Sequence, residues 1–259
     1  MARKRSQSGI AFVASDRPRG QEALRLLEKK YGNCPLDEAE VIVALGGDGT
    51  LLDVLRQNMH HDIPVYGMNC GTVGFLMNEF DPEGLPERIA RADRVVINPL
   101  RMTATDSRGK THEAMAINEI ALLRETRQTA RITVKVHGQV RMETLICDGV
   151  LLSTPAGSTA YNLSAHGPIL PISSNLLALT PISPFRPRRW RGALLSYDAD
   201  VEFEVQDPEF RTVLATADNY EVRDVVSVQG AIAKDIEMCL LFDAGAGLEE
   251  RILEEQFEY

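Results

Sequence analysis

No apolar run in this chain approaches the roughly 18 residues that a membrane-spanning helix requires. The basic start, MARKRSQSG, leads only into the short run GIAFVAS and not into a signal-peptide core with a cleavage site, so neither secretion nor membrane spanning is expected. Cysteine is scarce. Cys34, Cys70, Cys147 and Cys239 show no CxxC spacing and fit neither a disulfide framework nor a zinc site, which makes a reducing cytoplasm the expected home. Positive charge is in deficit, 28 Lys and Arg against 37 Asp and Glu for a net charge of −9. That balance argues against a nucleic-acid partner, which wants a basic footprint, and leaves a small molecule as the expected one. Internal repeats and low-complexity segments are missing as well. What is present is an ordinary soluble composition, 44% hydrophobic and 25% charged, over 259 residues, long enough to divide its core.

The first third alternates two periods. GIAFVAS at 9–15 and VIVAL at 41–45 are continuous runs of strand type, separated by the amphipathic stretch EALRLLEKKYG at 22–32. This is a βαβ pattern and predicts a Rossmann-like parallel sheet. GGDGTLLDVLRQ follows VIVAL directly, and Thr50 with Asp53 fits the [ST]xx[DE] capping box. IPVYGMNCG at 63–71 predicts a third strand and PEGLPERIARA at 82–92 a helix. From about residue 95 the period becomes two: Ile132, Val134 and Val136 alternate with polar residues, as do Val201, Phe203 and Val205. The expected organisation is therefore an α/β domain over 1–94 and a β-rich domain over 95–236. Residues 237–259 supply one more strand, MCLLFD, and an acidic helix, LEERILEEQF, that complete the first.

The sharpest local feature is Gly46-Gly47-Asp48-Gly49-Thr50 after a strand of buried character. Three glycines allow close approach of backbone to a ligand and dihedrals other residues avoid, and the following helix N-terminus offers free N–H groups to a phosphate. The segment is neither GxxxxGK[ST] nor GxGxxG. Asp48 at its tip would repel phosphate unless a metal ion intervened or unless its task were to take a proton from an attacking hydroxyl. The alternative is a glycine turn in which Asp48 merely bonds backbone amides. A second feature, DGVLLSTPAGSTAYNLSAHGP at 148–168, is dense in small residues and hydroxyls, suited to lining a pocket or to a polar turn between strands.

GGDGT at 46–50, NCGTVGFL at 69–76, the pair Asn118-Glu119 and the 148–168 segment together resemble, in order and spacing, the signature motifs of the bacterial NAD kinase family. GGDG-type loops alone are shared with 6-phosphofructokinases and with diacylglycerol and sphingosine kinases; the segment ending in TAYNLS selects NAD kinase. The resemblance implies an α/β and a β-rich domain with the nucleotide between them. It also implies transfer of the γ-phosphoryl of ATP, with Mg²⁺, to the 2′-hydroxyl of the adenosine ribose of NAD. It implies that Asp48 is the catalytic carboxylate, that Gly46, Gly47 and Gly49 admit the phosphates, and that Asn118 and Glu119 hold the dinucleotide by ribose and adenine contacts. Asp148, Ala156, Thr159, Ala160, Tyr161, Asn162, Leu163 and Ser164 then line the NAD pocket, with Phe75 on its adenine side and Asp218 joining from the C-terminal part. A homodimer or homotetramer is implied too. The rival readings are a lipid or sugar kinase on the same loop and a non-catalytic NAD(H)-binding sensor.

Three departures from the family pattern stand out. Ala156 lacks a common hydroxyl, Ile146 occupies a position commonly basic, so a cationic contact is expected to be missing, and Asp218-Asn219-Tyr220 replaces DGQ. The basic segment Phe185–Arg191 reads as a solvated loop, His60, His61 and His166 lack partners at ligand spacing, and Cys147 reads as a packing residue.

Overall fold

The computed structural model describes residues 9–71 and 74–245. In chain order the elements begin with β1 (Ile10–Ala14), α1 (Pro18–Tyr31), β2 (Val41–Gly46), α2 (Asp48–Asn58), β3 (Val65–Asn69), β4 (Asn78–Glu79), α3 (Leu85–Arg91) and β5 (Asp93–Ile97). They continue with β6 (Leu100–Asp106), β7 (Thr111–Ala116), β8 (Glu119–Arg124), β9 (Ala130–Val136), β10 (Gln139–Cys147), β11 (Gly149–Ser153), α4 (Tyr161–Ser164) and β12 (Leu176–Ile182). The last are β13 (Ala193–Ser196), β14 (Val201–Val205), β15 (Val213–Ala217), β16 (Tyr220–Val222), β17 (Val225–Ile232) and β18 (Met238–Phe242). Two compact units result: one runs through Ile97 and resumes at Ile236, the other is Asn98–Asp235. The first crossing falls after Ile97 because β5 stays paired with β18 as far as Ile97 opposite Met238.

The first unit is a sheet of order β1-β2-β3-β18-β5, parallel except for β5, with β4 beside β3. In β2 every residue from Ile42 to Gly46 is buried, as a central parallel strand covered on both faces requires. Helix α1 turns Gly20, Ala23 and Leu27 inward, and α2 turns Leu51, Val54 and Leu55 inward. The returning strand β18 is tied in by a buried polar set. Asn78 Nδ2 donates to the Gly67 and Leu241 carbonyls at 3.0 Å each, and Asn78 Oδ1 accepts the Asp243 amide at 2.8 Å. The Asp243 carboxylate in turn accepts from Tyr66 Oη and Arg88 Nη2, both at 2.5 Å. The expected capping box at Thr50 and Asp53 does not form. Helix α2 starts earlier, with Gly47 as its N-cap and Asp48 in its first turn, and Asp53 instead pairs with Arg56 at 2.9 Å. The expected acidic helix in LEERILEEQF lies outside the described residues.

The second unit holds two six-stranded antiparallel sheets, β10-β9-β14-β17-β6-β7 and β13-β12-β11-β8-β15-β16. The two-residue period has its expected result: Ile132, Val134 and Val136 of β9 and Val201, Phe203 and Val205 of β14 are buried, with the residues between them more accessible. Inward residues of both sheets share one apolar core, in which Val134 and Phe203 from the first join Leu122, Val150 and Leu152 from the second.

Candidate functional site

In the first unit the carboxyl ends of three parallel strands open onto a cavity of about 820 Å³. Ser15 beyond β1, Gly46 and Gly47 at the end of β2, and Asn69, Cys70 and Gly71 at the end of β3 all line it. This is where open α/β sheets bind ligands. Helices α1 and α2 start on its rim, so N–H groups without intrahelical partners border it together with Arg17 and Arg19. Sequence reasoning misses these two arginines. The available signal is their place where β1 passes into α1, equivalent to that of GGDGT where β2 passes into α2.

The glycines of GGDGT act through space and not through unusual dihedrals, contrary to the expectation from composition. None of Gly46, Gly47 and Gly49 is in the left-handed region, and Gly47 is extended at φ −123°. A Cβ on Gly46 would lie 2.2 Å from Thr50 Oγ1, so Gly46 makes room for the first turn of α2. Around Gly47 and Gly49 nothing lies within 4 Å of the Cβ position, so these two face open space.

Asp48 Oδ2 accepts the Phe75 amide at 2.9 Å and Oδ1 accepts the Leu76 amide at 3.0 Å. A Cβ on Gly74 would lie 3.0 Å from Asp48 Oδ1. The second motif is therefore a seat for the carboxylate of the first: two amides aim it, and a missing side chain admits it. Asp48 thus does bond backbone amides, as the glycine-turn alternative expects, and two of them belong to the second motif.

In the second unit Asp218, in the left-handed region at φ +50° between β15 and β16, accepts the amides of Ile117 (2.8 Å), Asn118 (2.9 Å) and Glu119 (3.3 Å). It thereby fixes the Asn118-Glu119 pair at the start of β8. Glu119 carries a buried Oε2 with no hydrogen-bond partner among the described residues. Burial, and then the charge of Asp218, push its carboxyl up to about 7. The Tyr161 hydroxyl is raised by burial and then by the charges of Glu119 and Asp148, which places it within electrostatic reach of both carboxylates. The Asp148 carboxylate is paired within the unit: Arg124 Nε, from the neighbouring strand β8, donates to its Oδ1 at 2.6 Å.

The hydroxyl-rich segment divides. Thr154 Oγ1 donates to the Ile117 carbonyl at 2.7 Å, Ser158 Oγ to the Pro155 carbonyl at 2.7 Å, and Asn162 Nδ2 to the Ser158 carbonyl at 3.0 Å and the Pro168 carbonyl at 2.8 Å. Asn162 Oδ1 accepts from Thr180 Oγ1 at 2.7 Å. These groups are buried and hold the segment's own shape, and Ala156 is buried beside them. Thr159, Ala160, Tyr161, Leu163 and Ser164 keep accessible surface. Gly157 lets the segment touch Asn118, whose carbonyl oxygen lies 2.2 Å from the Cβ position. The basic segment is less free than a solvated loop: Phe185 and Arg186 bond Ile146 through their backbones, and Trp190 packs on the core. Cys147 is buried, with its thiol pushed up to about 12 by that burial, as suits a packing residue.

Sequence profiles of the ATP-NAD kinase N-terminal and C-terminal domains match residues 19–92 and 117–227. The chain is 59% identical over 250 residues to an NAD kinase of Hyphomonas neptunium, spanning 96% of this chain and 98% of that one. The chain belongs to the NAD kinase family. An NAD kinase of Caulobacter vibrioides is 56% identical over 96% of this chain and 95% of its own, and one of Brucella suis is 50% identical over 99% and 100%. The fold is shared with yeast NADH kinase complexed with NADH, at a TM-score of 0.80 and 20% identity over 95% of this chain and 86% of that one. It is shared too with an NAD kinase from Archaeoglobus fulgidus in complex with ATP, at 0.74 and 22% over 95% and 96%. The NAD kinase profiles take in Arg19 and the Asp48 loop in the first unit, and Asn118, Glu119, Asp148 and Asp218 in the second.

Proposed function

We propose that the chain transfers the γ-phosphoryl of ATP to the 2′-hydroxyl of the adenosine ribose of NAD, with Asp48 accepting the hydroxyl proton. The observation that carries this reading is the seating of Asp48. Its carboxylate is aimed by the Phe75 and Leu76 amides and stands in the first turn of α2, between two glycines that line an open cavity. A ribose hydroxyl is a poor nucleophile, and a carboxylate that takes its proton as the bond to phosphorus forms contributes about 10²- to 10⁴-fold. Most of the remaining barrier falls to positioning and charge neutralisation. Arg17, Arg19 and the two helix N-termini suit the triphosphate of the donor.

In the second unit, Glu119, whose buried Oε2 has no partner among the described residues, is suited to accept hydrogen bonds from ribose or adenine, the role the resemblance gives it. Tyr161 lies within electrostatic reach of Glu119 and of Asp148, Asp218 holds the Asn118 and Glu119 amides, and Asn162 and Ala156 shape the segment from beneath.

A divalent cation fits these residues in one way. Among the described residues no three metal-binding side chains cluster, so the cation would come on the triphosphate, with Asp53 as the carboxylate lining the cavity. Bound there, it supplies charge neutralisation on the phosphates. Self-association as a dimer or tetramer belongs to the reading, supported by the exposed Leu194 on the edge strand β13 and checked by sedimentation velocity. Four free cysteines suit a cytoplasmic setting, and among the described residues no helix is long and apolar enough to cross a membrane.

Incubation with ATP and NAD, read with an NADP-specific dehydrogenase, gives NADP on this account, whereas ATP with diacylglycerol gives no phosphorylated lipid. Labelled lipid without NADP would favour the lipid-kinase reading, and NAD binding without turnover the sensor.

A further inference from the structure

A second cavity of about 340 Å³ adjoins the first, and the two share Arg19, Asn69, Cys70 and Gly71. Its remaining wall is different in kind. Arg19, Glu22, Ala23 and Leu26 are spaced i, i+3, i+4 and i+7, so they form one face of α1, and Phe80 completes the wall. Leu26 is 46% exposed, an apolar side chain on a helix whose inward face is already made by Gly20, Ala23 and Leu27. At 1.5 Å per residue, Leu26 stands about 10 Å along the helix from Arg19. The combined space thus runs from a cationic, amide-lined end to an apolar end with an aromatic ring and one carboxylate. That sequence of surfaces matches a nucleoside triphosphate read from phosphates to base.

We propose that the nucleobase of the phosphoryl donor stacks in the pocket made by Leu26, Cys70 and Phe80, with Glu22 accepting a hydrogen bond from its exocyclic amine. The proposal rests on the reading of the larger cavity as the donor's phosphate site and adds the residues that make the donor a nucleotide and not bare polyphosphate. An aromatic ring has a π-face for any base, so stacking supplies affinity, while the Glu22 carboxylate favours bases that present an amine. The exposed Leu26 is then explained: it is covered when the base is bound.

The test compares ATP with inorganic tripolyphosphate, which shares the donor's phosphates and lacks its base. Leu26→Gln, a neutral change on an exposed helix face, is expected to raise KM for ATP about tenfold and to leave the inhibition constant of tripolyphosphate against ATP unmoved. Arg19→Ala is expected to weaken both. If Leu26→Gln leaves KM for ATP unchanged while Arg19→Ala raises it, the base pocket is wrong and the phosphate site stands. If Arg19→Ala weakens neither ligand, the phosphate site itself is wrong and the base pocket falls with it. A rise for ATP and tripolyphosphate alike in Leu26→Gln would also overturn the proposal, because the pocket would then not distinguish a donor with a base from one without. Glu22→Ala, which removes the acceptor, gives an independent reading: it should narrow the preference for ATP over inosine triphosphate, whose base lacks the amine, and an unchanged preference would remove Glu22 from the site.

Discussion

In the first unit Gly47 and Gly49 face open space and border a cavity, whereas in the second Gly157 is pressed onto the Asn118 carbonyl oxygen, 2.2 Å from where a Cβ would sit. The carboxylates show a contrast as well. Asp48 and Asp218 both spend their oxygens on backbone amides of a segment distant in sequence, and so organise one motif around another. Glu119 has a buried oxygen with no hydrogen-bond partner among the described residues. The lesson is that motif residues of one type divide into those that build the site and those left over for a ligand, and only the accounting of space and hydrogen bonds separates them.

The largest expected effect comes from the glycines. Gly157→Ala forces a backbone contact apart and should cost about 3 kcal/mol, lowering Tm by roughly 6–12 °C. Gly47→Ala adds a methyl to open space at an unstrained dihedral and should cost under about 1 kcal/mol while raising KM for ATP. Equal losses of stability in thermal melts would erase the distinction between the two units.

Next comes Glu119. Its carboxyl titrates at about 7 in the folded chain against 4.5 ordinarily, so the folded state holds a proton that the unfolded chain has released. The stability this group contributes is fully present below 4.5 and is lost as pH rises through about 7. Glu119→Gln should therefore melt above wild type at about pH 8, with the gap closing toward about pH 5, and should bind NAD about tenfold more weakly. A gap that grows on acidification would contradict the burial of this carboxyl.

The smallest effect is expected at Arg124. Its pair with Asp148 is more than a third exposed on the acid side, so Arg124→Ala should cost at most about 1 kcal/mol in denaturant melts. KM for NAD should rise severalfold, because Asp148 loses the group that orients it. A change confined to stability would make Arg124 a scaffold residue only.

What the sequence makes legible is local. VIVAL followed by GGDGT specifies a buried strand entering a helix, and the alternation at 132–136 and 201–205 specifies strands with one buried face. What stays hidden depends on partners far along the chain. Arg124 meets Asp148 only because β8 and β11 are antiparallel neighbours, and no local period reveals that register. The Asp48 seat needs amides 27 and 28 residues away. Thr50 and Asp53 match a capping box, but Gly47 already caps the helix, so the chain begins α2 before that motif can act. Ser158 and Asn162 have the chemistry of a binding pocket and use it inward, which composition cannot distinguish.

The most direct test of the central claim is steady-state NADP formation by wild type and Asp48→Asn. The amide side chain keeps size and one acceptor but cannot take a proton at neutral pH, so kcat should fall by at least ~10²-fold with KM for NAD changed far less. Turnover of Asp48→Asn at the wild-type rate would contradict the assignment of Asp48 as the proton acceptor.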